Sequence, residues 1–255
     1  RKGFPTYNLG VQGYAPTQML GSFDLYGKKL KPKYVFIGYT SKTYYREKSF
    51  YDTDKAKKNK KFTGGIQSLV EIKYQARFLT SAIFLLLRDA RIDYRRGSLV
   101  SFSKEDYLGG DVLKRYLGEV NRLDLNKGSF DYLETSPEWL STLKKFSEIV
   151  DLATEINVKV MLIYFPHRPE MYYEKIKKRR LASSYLGQKE VNLLKNFSME
   201  KNIIFLDVSP DIKAYVNSLP KGTNIEKFPY LEIDGHLSEV GNEIIAETII
   251  KNLPK

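Results

Sequence analysis

Three short apolar runs set the limits on what this chain can fold into. "KYVFIGYT" (33–40), "VKVMLIYF" (158–165) and "IIFLDVS" (203–209) each place strand-forming, mostly apolar side chains on consecutive positions. A strand with one wet face alternates apolar and polar residues, whereas a strand covered on both faces does not. Amphipathic helical patterns separate the runs. Buried strands alternating with helices imply right-handed crossovers, hence an α/β fold with a mainly parallel sheet and helices on both faces.

The helical patterns carry their own punctuation. "APTQMLGSFDLYGKKLKP" (15–32) has Pro16 in its first turn and Pro32 beyond its end. "SPEWLSTLKKFSEIVDLATEIN" (136–157) opens with Ser136 as N-cap and Pro137 at the first helical position. "ASSYLGQKEVNLLKNFSMEKN" (182–202) is a third helix. The last is expected from about Ser238 to Leu253, with Leu237, Gly241, Ile244, Ile245, Thr248, Ile249 and Leu253 on one side. "TYNLGVQGY" (6–14) reads as a short strand entering a Gly-rich turn.

Residues 41–135 break this rhythm. They are rich in charge and tyrosine, and the lysine run "KAKKNKK" (55–61) suits a solvated loop. Helical patterns recur at 68–92 and 111–123. The segment is expected to be an insertion or cap within a single domain spanning 1–255. Its apolar stretch, "FLTSAIFLLL" (78–87), is far shorter than the roughly 20 residues of a spanning helix. It suits a helix packed on the body or on a partner, or one lying on a membrane surface.

Charge and composition narrow the partners. The 255 residues carry 42 Lys and Arg against 30 Asp and Glu, a formal net charge of +12. That excess favours an anionic polymer (polysaccharide or nucleic acid) or a phospholipid membrane surface, or is simply a basic balance with no dedicated partner. With no cysteine, disulfides, thiolate zinc sites and cysteine nucleophiles are excluded. The two histidines, His167 and His236, do not make a metal site without a third ligand. No phosphate-binding loop and no cofactor motif is present, and no nucleic-acid site is expected.

Open parallel sheets collect their active residues on loops at the carboxyl ends of the strands. The unusual residues of this chain fall there in order: Asn8, Gly10 and Gly13; then Gly38 and Thr40; then Pro166, His167 and Arg168; then Asp207; and finally Asp234 and His236. Asp234 and His236, two residues apart in "EIDGHLSEVGNEIIAETI", suit a carboxylate–imidazole pair, because i and i+2 share a side in an extended segment. By themselves they equally suit a polar turn capping the last helix. His167 and Arg168 could meet an anionic substrate or simply face solvent. Asp207 suits a loop tether, and "KIKKRR" (175–180) a solvated basic face.

"NLGVQGYAPTQ", "VFIGYTS" and "DGHLSEVGNEIIAETI" together resemble three blocks of the SGNH hydrolases, the GDSL esterase superfamily. "VKVMLIYFPHRPEMYYEKI" resembles the strand and following segment of bacterial branches that act on polysaccharide acyl groups. The likeness covers residues 1–40 and about 137–255. It implies a three-layer, flavodoxin-like sandwich with no cofactor. It also implies that Gly13 donates a backbone N–H to an oxyanion, that Thr40 stands where the family has an Asn donor, and that Asp234 and His236 complete a Ser-His-Asp triad. Thr in place of Asn shortens the donor's reach. The Asp–His spacing is one residue shorter than the family's commonest form.

The family's first block, Gly-Asp-Ser at the end of a central strand, is expected upstream of residue 1. "GGDVL" (109–113) imitates it but puts Val112 in the serine's place, and neither Ser22 nor Ser183 has a strand-end context. The resemblance therefore implies a serine esterase or O-acyltransferase, acting on an acylated carbohydrate or other small ester outside the cytoplasm: periplasmic, membrane-anchored upstream, or secreted. The nucleophile strand is then expected from the upstream segment or from a partner chain that completes the sheet; failing both, the sheet order is rearranged. The alternative is a catalytically inactive SGNH-fold subunit that binds partners through its basic and apolar insertion.

Overall fold

Consecutive apolar residues form three strands: β1 (Tyr34–Thr40), β2 (Lys159–Phe165) and β3 (Ile204–Asp207). The computed structural model describes residues 6–10, 14–40, 43–47, 120–121, 130–181, 185–231 and 236–254. Among them the strands make one all-parallel sheet in the order β1–β2–β3. Tyr34 pairs with Lys159 and Thr40 with Phe165, while Met161 pairs with Ile204 and Tyr164 with Asp207. The carboxyl ends of all three strands therefore lie on one side, as the sequence predicts for crossover connections.

β2 is the middle strand, and its burial explains its sequence. Val160, Leu162 and Tyr164 point into one core; Met161 and Ile163 point into another. The first core is built with α1 (Pro16–Ser22), α3 (Pro137–Glu155) and α5 (Leu186–Glu200). The second is built with α4 (Arg168–Lys177), α6 (Ser209–Ser218) and α7 (Glu239–Asn252). Helices thus cover both faces of the sheet. Tyr44 and Leu133, from the two ends of the predicted insertion, are buried in the first core. Residues 53–111 divide from the rest as a unit of their own. They lie outside the described residues, and with them the lysine run at 55–61, the helix expected at 68–92 and the decoy at 109–113.

Helix ends follow the punctuation of the sequence. Ser136 accepts from the Trp139 N–H at 3.2 Å, and Pro137 follows it. Ser238 accepts from the Gly241 N–H at 3.2 Å and donates to the Phe228 carbonyl at 2.6 Å. On α7, Gly241, Ile245 and Thr248 are buried, and Leu237, Ile244, Ile249 and Leu253 pack against the second core, the side expected from their spacing. The first helix is less regular: between α1 and α2 (Lys28–Leu30) lies a π turn, Phe23–Gly27. Gly27 is needed there, since a methyl group at that position would overlap the Phe23 ring. Lys31, left-handed at φ 43°, then ends the run before Pro32.

Three local expectations change. Residues 6–10 form no strand. The Asn8 side chain accepts from the Gly10 N–H at 2.9 Å, a local turn that competes with sheet pairing. The run at 203–209 is strand only to Asp207, because Asp207 Oδ1 takes the Ser209 N–H at 2.9 Å and the chain turns into α6 with Pro210 in its first turn. And the basic stretch 175–180 is not uniformly solvated. Lys175 Nζ donates to the carbonyls of Val216 (2.6 Å) and Leu219 (2.5 Å) at the C-terminal end of α6. Lys177 reaches Asn121 Oδ1 at 2.7 Å, and Arg179 lies over the Tyr173 ring. Among the described residues, no helix is long and apolar enough to cross a membrane.

Candidate active site

The parallel register brings the ends of β1 and β2 side by side, and the segments that leave them carry the candidate residues. Thr40 closes β1, opposite Phe165. It is exposed, and its polar groups are engaged locally. Its N–H donates to Thr43 Oγ1 at 3.1 Å, and the Thr43 hydroxyl donates to the Thr40 carbonyl at 2.7 Å. Thr43 has one hydroxyl proton, so in the 3.1 Å contact between the two hydroxyls Thr40 is the donor. The hydroxyl proposed for an oxyanion thus holds the turn into the helical residues 43–47, and would have to rotate away from Thr43 to serve.

After β2 the chain turns sharply into α4. His167 is exposed at the N-cap position. Arg168 is only 7 % exposed, and its Nη1 donates to the Leu231 carbonyl at 2.6 Å. Asp207, at the end of β3, tethers the start of α6 through Ser209.

The last candidate lies on a segment folded back on itself. Tyr230 and Leu237 form an antiparallel bridge, and the Leu231 N–H donates to the His236 carbonyl at 2.7 Å. His236 is exposed at the end of this loop. The loop is seated against the end of β2 from two points: Arg168 on the Leu231 carbonyl, and the Tyr230 hydroxyl on the Pro166 carbonyl at 2.9 Å. The His236 loop and the His167–Arg168 turn are therefore neighbours at the strand ends. Gly13 and Asp234 lie outside the described residues. Among the described residues, no cluster of three or more His, Asp or Glu could hold a metal ion.

Sequence reasoning missed a second group of ionisable residues beneath this surface. Glu170, in the first turn of α4, is 1 % exposed, and Glu190 on α5 is wholly buried. Tyr39 on β1 donates to Glu190 Oε1 at 2.6 Å. Burial, reinforced by the Glu190 charge, holds the Tyr39 hydroxyl well above the usual phenol range. Glu170 is pushed up to about 8, first by burial and then by the charge of Glu190, against the opposing pull of the His167 backbone and Lys213. Among the described residues its Oε1 has no hydrogen-bond partner. Gly187 packs so closely on Glu170 Oε2 and the Tyr164 hydroxyl that a methyl group there would overlap both.

At neutral pH Glu170 is therefore a neutral acid beside the strand ends. One signal was present in the sequence. Leu186, Glu190, Leu194 and Phe197 fall on one helical stripe, and a single acid on an otherwise apolar stripe marks a buried polar group.

Comparison with protein-family models, with curated proteins and with solved structures gave no match for this chain.

Proposed function

We propose that this chain is the body of an SGNH-type acyl-ester enzyme, a hydrolase or O-acyltransferase acting on acylated carbohydrate. The observation that carries the proposal is the seating of the His236 loop against the carboxyl end of β2, in a parallel sheet whose β1 ends in Thr40. A serine at the end of a further strand would give its proton to His236 on attacking the ester carbonyl, and His236 would return it to the leaving alcohol. Asp234 would fix the imidazole tautomer. The N–H of Gly13, and the Thr40 hydroxyl once released from Thr43, would stabilise the oxyanion.

Such an enzyme needs its nucleophile strand next to β1. Among the described residues β1 pairs with β2 alone, and Phe36 on it is 44 % exposed. The strand would come from an upstream segment or from a partner chain. The net charge of +12 suits an anionic glycan or a membrane surface nearby.

One observation favours a second reading, that of an inactive SGNH-fold subunit: the Thr40 hydroxyl is committed to Thr43. A serine-directed phosphonate on the full-length protein separates the two. Covalent labelling that disappears in His236→Ala is expected of the enzyme. Absence of label, or labelling indifferent to the loss of His236, counts against the enzyme.

A further inference from the structure

The segment that carries His236 is anchored at both ends, and the two anchors differ in kind. On the helix side, Ser238 caps α7 and bonds Phe228 and Pro229: its hydroxyl donates to the Phe228 carbonyl at 2.6 Å, and its N–H donates to the Pro229 carbonyl at 3.0 Å. These contacts are local in sequence and fix where the loop starts and stops.

On the sheet side the anchors come from 63 and 64 residues away: Arg168 to Leu231, and Tyr230 to Pro166. Leu231 is gripped through both of its backbone groups. Its carbonyl takes the Arg168 guanidinium at 2.6 Å, and its N–H donates to the His236 carbonyl at 2.7 Å. Arg168 is thus linked to the backbone of His236 through a single residue, Leu231. It is buried to 7 % exposure at the start of α4, whose Pro169 and Glu170 are buried with it. A guanidinium in that position is turned to protein and not to an incoming ligand. A bond from a charged donor is also stronger than one between neutral groups.

We infer that Arg168 is a positioning residue: through Leu231 it holds the backbone of His236 at the end of β2 and thereby fixes where the imidazole stands. The catalytic meaning of that position rests on the function proposed above, but the clamp itself does not. Tyr230 is the second, neutral point of the same clamp, and its hydroxyl sets the height of the loop above Pro166. Lysine at 168 would keep the charge and one donor while losing the planar fork.

The test uses the full-length protein with Arg168→Ala, Arg168→Lys and His236→Ala. Backbone hydrogen exchange is followed by residue, and phosphonate labelling by rate. With only two histidines in the chain, the His236 imidazole resonances can be assigned by substitution and followed directly. Arg168→Ala is expected to speed exchange across 229–238 by roughly 10- to 100-fold, the range a hydrogen bond to a charged group commands, with β2 and α5 unchanged. It is also expected to shift the His236 resonances and to slow labelling with the half-saturating phosphonate concentration unchanged.

Arg168→Lys should recover part of each effect, and it keeps the test alive if the alanine variant folds poorly. Exchange across 229–238 and His236 resonances that match wild type in both Arg168 variants would overturn the clamp. If instead His236→Ala labels normally, the esterase proposal falls, and the exchange and resonance data still decide the clamp.

Discussion

Glu170→Gln is expected to flatten the loss of stability that the wild-type protein undergoes between pH 5 and pH 9. The Glu170 carboxyl titrates near 8 in the folded chain, against 4.5 for an ordinary glutamate. Between those values the folded state holds a proton that the unfolded state has released, so stability falls as pH rises through the window. The favourable contribution is complete below the ordinary value and gone above about 8. At about 1.4 kcal/mol per pH unit, the interval corresponds to roughly 4–5 kcal/mol.

Glutamine keeps the shape of the neutral acid and does not titrate. Urea midpoints of variant and wild type should therefore nearly coincide at pH 5, separate as the pH rises to about 8, and run parallel beyond it, the variant being the more stable. Curves parallel from pH 5 onward would show that Glu170 is not the acid responsible. Glu190 is the natural comparison, because Tyr39 donates to it at 2.6 Å and Glu190→Gln leaves burial as the main cause that raises Glu170 while removing the charge that adds to it.

Gly241→Ala is expected to go against the usual rule for helices. Replacing an interior helical glycine by alanine ordinarily stabilises by about 1 kcal/mol. Gly241 is buried in the first turn of α7, and a methyl group there would overlap the Pro229 carbonyl oxygen and crowd Leu237. That carbonyl is backbone, already bonded to the Ser238 N–H at 3.0 Å, so it cannot rotate away. The helix or the segment beneath it must shift, and overpacking of this kind costs about 1–3 kcal/mol.

Because Pro229 leads directly into Tyr230 and Leu231, the shift should also loosen the His236 loop and slow labelling of the full-length protein. Gly21→Ala supplies the control, since open space surrounds that position in α1. It should raise the melting temperature where Gly241→Ala lowers it. If the two substitutions move stability in the same direction, the contact with Pro229 is not what decides the outcome.

The sheet was readable because its cause is local. Apolar runs of seven or eight residues have few alternatives to a strand, although among the described residues only one face of β1 is well covered, Phe36 being 44 % exposed, and Ser136 and Ser238 announce their helices through bonds spanning three residues. What escaped depends on partners distant in sequence. Tyr39 meets Glu190 across 151 positions and Arg168 meets Leu231 across 63. Nothing near Arg168 in the sequence shows that its guanidinium is buried. Lys175 looks like one basic residue among several until the end of α6 is placed beside it. The first expected strand failed for the opposite reason: Asn8 and Gly10 satisfy each other locally before any sheet can recruit them. The strand-end residues His167, Arg168, Asp207 and His236 were legible in their order, and Asp207 as a loop tether, whereas the burial of Arg168 against the Leu231 carbonyl was not.

The lone tryptophan has a practical consequence. Trp139 is 1 % exposed, its ring centroid 6.1 Å from those of both Tyr39 and Tyr44 in T-shaped pairs, and it belongs to only one of the two cores. Its emission should be blue-shifted in the folded chain and move to the red when the face formed by α1, α3 and α5 opens. Fluorescence is then blind to the opposite face, where the imidazole resonances of His236 report. The two signals together would show whether the halves of this molecule melt in one step or two.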